Sequence, residues 1–413
     1  MIFTLSVDKK SRDQFIKALD IAKKLDESGF STYIVGGAVR DSLLGIPSLD
    51  VDLCTACDSE TLLDILPGAK PIGFQKYSVF TIPCEIGSIE IAHFREEISC
   101  DGRHCDVRLT DSFEKDVRRR DFSVNALAVN PTDMEIIDLV GGIADLYSRT
   151  IRAIGDPVTR YTEDKLRLLR AIRFATKLDF SLSEKDSSAI EELTDQVSVL
   201  SSDRIRRELE GIIVSGHPGR GFRLLLKYGL WQNIFTNNYN FIEDSRLERR
   251  LSVMDRASSI VDIYGMWAIT LMPLDFNLES GKLLRNKLDK LNFTKKNRQE
   301  IYDISMGVKK IFQLKKISKA EAVALVDSNK LNTIRQIAHL LAPNIPFEIE
   351  LARLFPKIGT QPFLMGKELA DSILQVKPAN LPKILLSLRY AELTGLIDSK
   401  YKAREFLNNI NSQ

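Results

Sequence analysis

The sequence is poor in cysteine, with only five among its 413 residues. A small, odd number of cysteines in a chain of this size argues against a disulfide framework. The sequence also has no apolar run long enough to span a membrane and no signal peptide at its start, so we expect a cytoplasmic protein. The net charge is only +2, and the overall charge therefore does not indicate an RNA-binding protein.

The length and the apolar pattern predict a divided chain. At 413 residues the chain exceeds one ordinary core, so we expect about two to four domains. Before about residue 155, short β-rich runs alternate with helical segments and turn glycines. After that point, apolar residues follow helical spacing almost to the end. The pattern predicts an α/β head over residues 1–150 and an all-α remainder.

Residues 33–53 contain a glycine turn followed by an arginine. A short strand leads into Gly36 and Gly37, where a helix is expected to begin. Glycine lets the backbone turn tightly and brings N–H groups close to an anionic ligand. A helix N-terminus also favours phosphate, and Arg40 adds a planar group that can bind phosphate oxygens.

The same segment ends in an Asp-x-Asp pair. Asp50 and Asp52 alternate with apolar residues, as on a strand, so their side chains point to one face. Two adjacent carboxylates repel each other unless a cation lies between them, and Mg²⁺ prefers carboxylate and phosphate oxygens. Together with the glycine turn, the pair predicts a site for a nucleoside triphosphate and a metal.

Two later segments are rich in arginine. In residues 116–130, three arginines and Asp121 precede an apolar strand. In residues 161–180, an aspartate and three arginines follow one another at steps of three residues, so they share one face of the predicted helix. A face that is simply solvated would usually carry lysine and glutamate among them. The members of this second set are Asp164, Arg167, Arg170 and Arg173. Both segments favour a nucleotide partner.

These segments resemble the class II tRNA nucleotidyltransferases, the bacterial-type CCA-adding enzyme and poly(A) polymerase family of the polymerase β superfamily. The GGxVRD element matches residues 36–41, and the DxD element matches residues 50–52. The RRDFxxNA element matches residues 119–126, and the EDxxRxxRxxRF element matches residues 163–174. The order of the motifs is specific for the family but not for one member of it.

The resemblance implies a polymerase β-like mixed-sheet head followed by an all-α neck, body and tail, in an elongated multidomain molecule. The implied domains are a catalytic head over residues 1–150, a base-recognising neck over 151–215, a tRNA-binding body over 216–345 and a tRNA-binding tail over 346–413. A basic segment, residues 281–319, has twelve Lys or Arg against three acids, which suits a phosphate backbone.

The implied reaction is addition of the 3′-terminal CCA to tRNA from CTP and ATP, with release of pyrophosphate. Asp50 and Asp52 would be the catalytic metal ligands, with two Mg²⁺ ions expected. Glu90, on the predicted strand IEIAHF, could be a supporting carboxylate. The residues implied to bind the triphosphate or sugar are Gly36, Gly37, Arg40 and Arg120.

Base selection has a physical basis. Cytosine and adenine each present an amino donor beside a ring-nitrogen acceptor, whereas an aspartate only accepts and an arginine only donates. Asp164 with Arg167 therefore complements C and A and leaves U and G with unpaired groups. Arg170 and Arg173 are expected to orient this pair or to reach the triphosphate.

Two alternatives share these motifs. One is an A-adding enzyme that acts on tRNA ending in CC beside a separate CC-adding partner, and the other, less favoured, is a bacterial poly(A) polymerase. Residues 94–112 are polar and poorly periodic, so we expect a mobile loop over the active site. Cys105 stands where the family commonly has proline, which could alter the stiffness of that loop.

Overall fold

The computed structural model describes residues 3, 8–72, 79–84, 87–100, 105–235, 245–272, 280–373 and 380–411. Two compact units divide the chain. The first comprises Met1–Ile212 and Gly221–Asn238, and the second comprises Ile213–Arg220 and Tyr239–Gln413. Among the described residues, every helix is too short or too polar to cross a bilayer.

Every strand of the described residues lies in the first unit. In chain order they are β1 Thr32–Val35, β2 Val51–Thr55, β3 Lys70–Pro71, β4 Val79–Pro83, β5 Ser88–His93, β6 Arg95–Cys100, β7 Cys105–Leu109, β8 Ala128–Val129, β9 Ile136–Ile137, β10 Thr150–Ile151 and β11 Ser181–Leu182. Seven of them form one mixed sheet in the order β3-β4-β5-β2-β1-β8-β9. Within it β2 and β5 run parallel, and the other neighbours are antiparallel.

The helices from residue 9 to residue 235 are α1 Lys9–Glu27, α2 Gly37–Leu43, α3 Ser59–Ile65, α4 Phe113–Arg118, α5 Gly142–Tyr147, α6 Pro157–Glu163, α7 Leu166–Lys177, α8 Glu184–Glu192, α9 Ser202–Ile213, α10 Pro218–Lys227 and α11 Leu230–Phe235. Short 3₁₀ helices cover Ser123–Asn125 and Thr194–Val199. The predicted α/β head and helical remainder are confirmed, apart from the two-residue strand β11, which pairs with β10.

The main core of the head lies between α1 and one face of the sheet. Phe15 and Ala18 of α1 belong to the same buried cluster as Ile34 and Leu53 of the central strands. Because side chains alternate along a strand, Val35 and Cys54 point to the opposite face. That second face carries the charged side chains described below.

Residues 94–112 differ from the expected loop. Their described part forms an antiparallel hairpin of β6 and β7, with an irregular register between Glu97 and Ser99. Polar residues can pair in this way because both faces of the ribbon remain open to polar partners, so the lack of an apolar alternation did not exclude strands. Residues 101–104, and the side chain of Cys105, lie outside the described part of the chain.

The predicted helix over residues 161–180 is interrupted. Asp164 has an extended backbone, φ −139° and ψ 101°, between α6 and α7. Its Oδ1 accepts a hydrogen bond from the N–H of Leu166 at 3.2 Å, as a capping residue does. Asp164 therefore lies at a junction between two helices, and the expectation that it shares one continuous helix with the three arginines is wrong.

The second unit is helical among its described residues. From residue 245 the helices are α12 Ser245–Ala257, α13 Ile263–Leu271, α14 Ser280–Lys290, α15 Lys295–Phe312, α16 Lys319–Val326, α17 Leu331–Leu341, α18 Phe347–Leu354, α19 Gly366–Ser372, α20 Leu381–Leu393 and α21 Lys400–Asn411. Helix α15 packs against α13 and α17. The Trp267 ring of α13 meets Phe293 edge-on, with the centroids 5.2 Å apart.

Candidate active site

Two carboxylates lie side by side on the sheet face that points away from α1. Asp52 of β2 is the register partner of Glu90 of β5 in the parallel pair. Since paired residues of neighbouring strands point to the same face, the two acids are neighbours. Glu90, which was expected to be a possible supporting carboxylate, therefore lies beside Asp52.

Asp50 lies just before β2, and its Oδ1 is 3.4 Å from the Ser88 hydroxyl. Asp52 reaches solvent through an open cavity, but the protein packed around that cavity reduces the hydration of its carboxylate. This desolvation, with the charges of Glu90 and Asp50 and against that of Arg120, raises the pKa of Asp52 to about 6. The acids thus repel one another, as expected of groups that share a cation.

Gly36 separates Asp52 from an arginine. Its φ is +75°, a value that glycine adopts without strain, and it caps the start of α2. A Cβ at this position would lie 3.6 Å from Oδ2 of Asp52 and 3.6 Å from Nη1 of Arg120. The missing side chain therefore leaves the backbone close to both a carboxylate and a guanidinium.

Asp116 fixes the arginines of the RRD segment. Its Oδ2 accepts from Nη2 of Arg120 at 2.9 Å, and its Oδ1 accepts from Nη2 of Arg119 at 2.6 Å and from the N–H of Arg95 at 3.1 Å. Burial alone would raise the pKa of Asp116, but Arg120 and Arg119 outweigh burial and lower it. This buried carboxylate holds Arg120 beside Asp52.

Arg40 is almost fully buried, at 2% exposure. Its Nε donates to Asp41 at 2.7 Å, and its Nη1 donates to Oδ1 of Asn125. The guanidinium also lies over the Phe174 ring, 5.4 Å from the centroid. These contacts favour a role in supporting the wall of the cavity over direct contact with phosphate.

The predicted residues largely line one cavity of about 650 Å³. The residues from the prediction that line it are Gly36, Gly37, Arg40, Asp52, Glu90, Arg120, Asp164, Arg167 and Arg170. Asp50 and Arg173 are not among its lining residues. The lining residues that the sequence analysis did not select as site residues include Arg95, Asp116, Arg119, Asp121, Asn125, Phe174 and Lys177.

Arg167 is buried and fixed by four protein groups. Its Nη2 donates to Oε1 of Glu97 at 3.0 Å, and its Nη1 donates to Oε2 of Glu163 at 3.3 Å. Its remaining bonds reach the carbonyl oxygens of Arg160 at 2.9 Å and Arg119 at 3.2 Å. Glu97 belongs to β6, so the hairpin contributes a charge directly to the helix that carries Arg167.

Arg160 binds the same two glutamates as Arg167. It bonds Oε2 of Glu97 at 2.8 Å and Oε2 of Glu163 at 2.5 Å. Its Nη2 also donates to the carbonyl oxygens of Arg119 and Arg120, at 2.7 and 3.1 Å. Two arginines and two glutamates thus form a charge-balanced cluster between the head and α7.

Asp164 is paired with Arg204 of α9. Nη2 of Arg204 lies 2.9 Å from Oδ1 and 3.3 Å from Oδ2 of Asp164. The two residues are 40 positions apart in the chain, and local spacing gave no signal for the contact. The structure thus places Asp164 and Arg167 on the same cavity but gives them different partners.

Arg170 and Arg173 both contact the ring of Phe174. Their guanidinium carbons are 5.3 and 4.6 Å from the Phe174 centroid, within the range of a cation–π contact. Arg170 also binds Asp121, with Nε 2.8 Å from Oδ2, and Arg173 forms an ion pair with Glu208 at 2.7 Å. Counting Arg40, three guanidiniums surround one ring.

Two family models match the chain. Residues 32–152 match "Poly A polymerase head domain", and residues 179–237 match "Probable RNA and SrmB- binding site of polymerase A". Both matched ranges lie in the part of the chain that carries the ordered motifs, and both are similar to regions of poly(A) polymerases. The family assigned from the ordered motifs of the sequence is confirmed.

Several relatives carry the name CCA-adding enzyme. The one from Lactococcus lactis subsp. cremoris (strain MG1363) is 35% identical over 232 residues, which are 54% of this chain and 56% of that protein. The matched region therefore spans about half the length of that relative. The one from Leuconostoc mesenteroides is 28% identical over 428 residues and covers 96% of this chain and 98% of that protein.

The fold is shared with solved structures. The Bacillus stearothermophilus CCA-adding enzyme in complex with CTP has a TM-score of 0.77 and 24% identity. The match covers 97% of this chain and 98% of the chain of that enzyme. The Thermotoga maritima CCA-adding enzyme complexed with tRNA_CCA has a TM-score of 0.67 and 22% identity, and covers 99% of both chains. At these identities the likeness concerns the fold.

Proposed function

We propose that this protein adds the 3′-terminal CCA to tRNA from CTP and ATP and releases pyrophosphate. One observation carries the proposal: a single cavity joins adjacent carboxylates, Asp52 and Glu90, to the polar groups of Asp164 and Arg167, with Arg120 among its lining residues. The first group suits phosphoryl chemistry, and the second suits recognition of a base. The names of the relatives support the same reaction.

The acids fit a divalent cation. Among the described residues, no group of three or more His, Cys, Asp and Glu side chains is close enough to hold a metal ion by itself. The raised pKa of Asp52 beside Glu90 and Asp50 nevertheless points to a site that favours added positive charge. A hard ion such as Mg²⁺ that uses few protein carboxylates completes its shell with substrate phosphates and water.

We assign Asp50 and Asp52 as the residues that would hold Mg²⁺, with Glu90 in support. The bound metal would lower the pKa of the attacking tRNA 3′-hydroxyl and neutralise charge on the leaving pyrophosphate. Arg120, held by Asp116 at 2.9 Å, would bind the triphosphate or the sugar. Gly36 and Gly37 would allow the nucleotide to approach the backbone closely.

Asp164 and Arg167 are proposed to select the base. Asp164 would accept from the amino group of C or A. Arg167, whose Nη groups are bonded within the protein, would donate its Nε–H to the adjacent ring nitrogen. Glu97 and Glu163 hold the Arg167 guanidinium in a fixed plane, which suits discrimination by hydrogen-bond geometry. Uracil and guanine would leave polar groups unpaired, at a cost on the order of 1–3 kcal/mol each.

The tRNA backbone is proposed to contact the helical second unit. Helices α14 and α15 carry most of the basic segment 281–319. Among the side chains of this segment that the structure describes, the exposed cations are Lys282, Arg285, Lys290, Lys295, Lys296, Lys316 and Lys319. Lys287 is excluded, because it is buried and donates to the carbonyl oxygen of Leu271 at 3.0 Å.

The alternatives differ in product. The relatives named CCA-adding enzyme favour complete CCA addition over an A-adding enzyme with a separate CC-adding partner, and over poly(A) synthesis. The side chain of Cys105, which could alter the stiffness of the segment over residues 94–112, lies outside the described residues. A cytoplasmic location and the division into head, neck, body and tail stay predictions.

The deciding experiment is extension of three tRNA transcripts that end before CCA, after C and after CC. Each is incubated with CTP alone, ATP alone and both nucleotides. Full CCA on the shortest transcript would support the proposal. Addition of a single A to the CC-ended transcript alone would replace it with the A-adding alternative, and long A tails would indicate a poly(A) polymerase.

A further inference from the structure

Helix α9 presents two opposite charges to α7 and to the junction that precedes it. Arg204 and Glu208 are four residues apart, so they lie on one face of α9. Arg204 contacts Asp164 at the start of α7, and Glu208 contacts Arg173 one turn before its end. The order of charges along α9 is therefore complementary to the order along α7.

Both contacts lie in partly or fully buried surroundings. The side chain of Arg204 is 24% exposed, that of Asp164 is 21% exposed, and that of Glu208 is 9% exposed. In such surroundings the removal of one partner leaves a polar group poorly compensated. The pairs therefore fix geometry more firmly than an exposed salt bridge would.

Asp164 depends on Arg204 for its orientation. Its backbone is extended and lies outside both helices, so no helical turn fixes its χ angles. The hydrogen bonds to its carboxylate come from the N–H of Leu166, to Oδ1 only, and from Arg204, to both oxygens. Arg204 is thus the group that sets the plane of the carboxylate.

We infer that Arg204 is a positioning residue for base selection, which holds the Asp164 carboxylate in the plane that accepts from the amino group of C or A. The inference rests on the proposed function and adds a residue to it. Arg204 itself is not among the residues that line the cavity, so it acts through Asp164 and not by contact with the nucleotide.

The test is the specificity of the Arg204→Met variant. On a CC-ended tRNA transcript, kcat/KM is measured for ATP and GTP, and on a transcript ending before CCA it is measured for CTP and UTP. We expect each ratio of correct to incorrect nucleotide to fall about tenfold, since the unheld carboxylate loses its directional hydrogen bond. Arg204→Lys keeps the charge but not the fork geometry, so it should restore part of the ratio.

Arg206 provides a matched control on the same helix. It pairs with Asp203 at 3.1 Å and with Glu210 at 3.7 Å, both on α9 itself. Arg206→Met makes the same chemical change without touching Asp164, and it should keep both wild-type ratios. Equal losses in the two variants would show a general effect on α9 and would overturn the inference.

A double variant separates positioning from general damage. In an Asp164→Ala background, Arg204→Met should change neither ratio further, because its partner is gone. Additive losses would overturn the inference. If Arg204→Met does not fold, Arg204→Lys decides: unchanged ratios refute the positioning role, and reduced ratios that vanish in the Asp164→Ala background support it.

Failure of the two proposals is distinguishable. Wild-type protein that incorporates neither C nor A would refute the proposed function. Wild-type protein that adds CCA, together with an Arg204→Met variant that keeps its selectivity, would refute the positioning role alone.

Discussion

Asp52 and Glu90 are direct register partners on two parallel strands, with their carboxylates on the same face of the sheet. Neighbouring acids of this kind are costly without a compensating cation, and the pKa of Asp52 rises to about 6 as a result of desolvation and of the charge of Glu90. The charge of Arg120 lowers the pKa of Asp52, but by less than desolvation and the neighbouring acids raise it. The arrangement is therefore better explained by a cationic ligand than by the stability of the head.

The first prediction concerns the acids. Asp50→Ala and Asp52→Asn should each abolish nucleotide incorporation, because the metal would lose a ligand, while tRNA binding in a filter or gel-shift assay stays close to wild type. Glu90→Gln should reduce incorporation less, since Glu90 has a supporting role. Turnover by purified Asp52→Asn protein at the wild-type rate would refute the metal assignment.

The second prediction concerns the stability of the head against pH. The folded pKa of Asp52 lies above its unfolded value of 3.8, so ionisation of this group opposes folding. The penalty is full above about pH 6 and disappears as pH falls below the unfolded value. Asp52→Asn should therefore raise the melting temperature at pH 7.5 without added metal.

The same comparison at pH 3.5 is the control for this prediction. There Asp52 is protonated in the folded protein and mostly protonated in the unfolded protein, so the two melting temperatures should converge. A variant that is equally more stable at both pH values would contradict the electrostatic explanation and would indicate a change in packing.

The third prediction concerns Asp116. Its folded pKa is lowered by Arg120 and Arg119 despite burial, so its contribution to stability is present above the unfolded pKa and is lost as pH falls through the folded value. Asp116→Ala should destabilise the head by about 3 kcal/mol, because it leaves two partly buried guanidiniums without their partner.

Urea unfolding, followed by circular dichroism at pH 7.5, measures this effect. The exposed Asp111 offers a control in the same region, and Asp111→Ala should change the unfolding free energy very little. If the two alanine variants unfold at the same urea concentration, the role of Asp116 as the anchor of Arg119 and Arg120 is refuted.

The fourth prediction concerns Glu97 of the hairpin. Glu97→Gln removes one of two carboxylates that hold Arg160 and Arg167, and it should raise KM for CTP and ATP several-fold because Arg167 becomes less well fixed. The neighbouring Glu96 pairs instead with Arg108 and Lys115. Glu96→Gln should leave both KM values unchanged, and equal effects of the two variants would argue against the specific role of Glu97.

Structural features that depend on residues close together in the chain were predicted well from the sequence. The turn at Gly36 and Gly37, the strand that carries Asp52 and the helix that carries Arg170 follow from local spacing, and ordered motifs were sufficient for the family. Glu90 could be proposed because its strand was recognised, although its pairing with Asp52 depends on the order of strands in the sheet.

Distant contacts were not predictable in this way. Asp164 lies at a junction and not inside the expected helix, and its carboxylate accepts hydrogen bonds there from the N–H of Leu166 and from Arg204. Arg204 is 40 residues away in the chain. Glu97 was hidden in a segment that lacked an apolar alternation, and its partner Arg167 is 70 residues further along the chain. Ion pairs between elements leave no periodic signal in one sequence.

The ring of Phe174 has a wider consequence. It contacts Arg40 from α2 as well as Arg170 and Arg173 from α7, so one aromatic ring serves cations from two separate helices. Three cation–π contacts therefore depend on a single aromatic side chain. A leucine at position 174 would remove all three cation–π contacts at once, whereas the bonds of Arg40 to Asp41, of Arg170 to Asp121 and of Arg173 to Glu208 would remain.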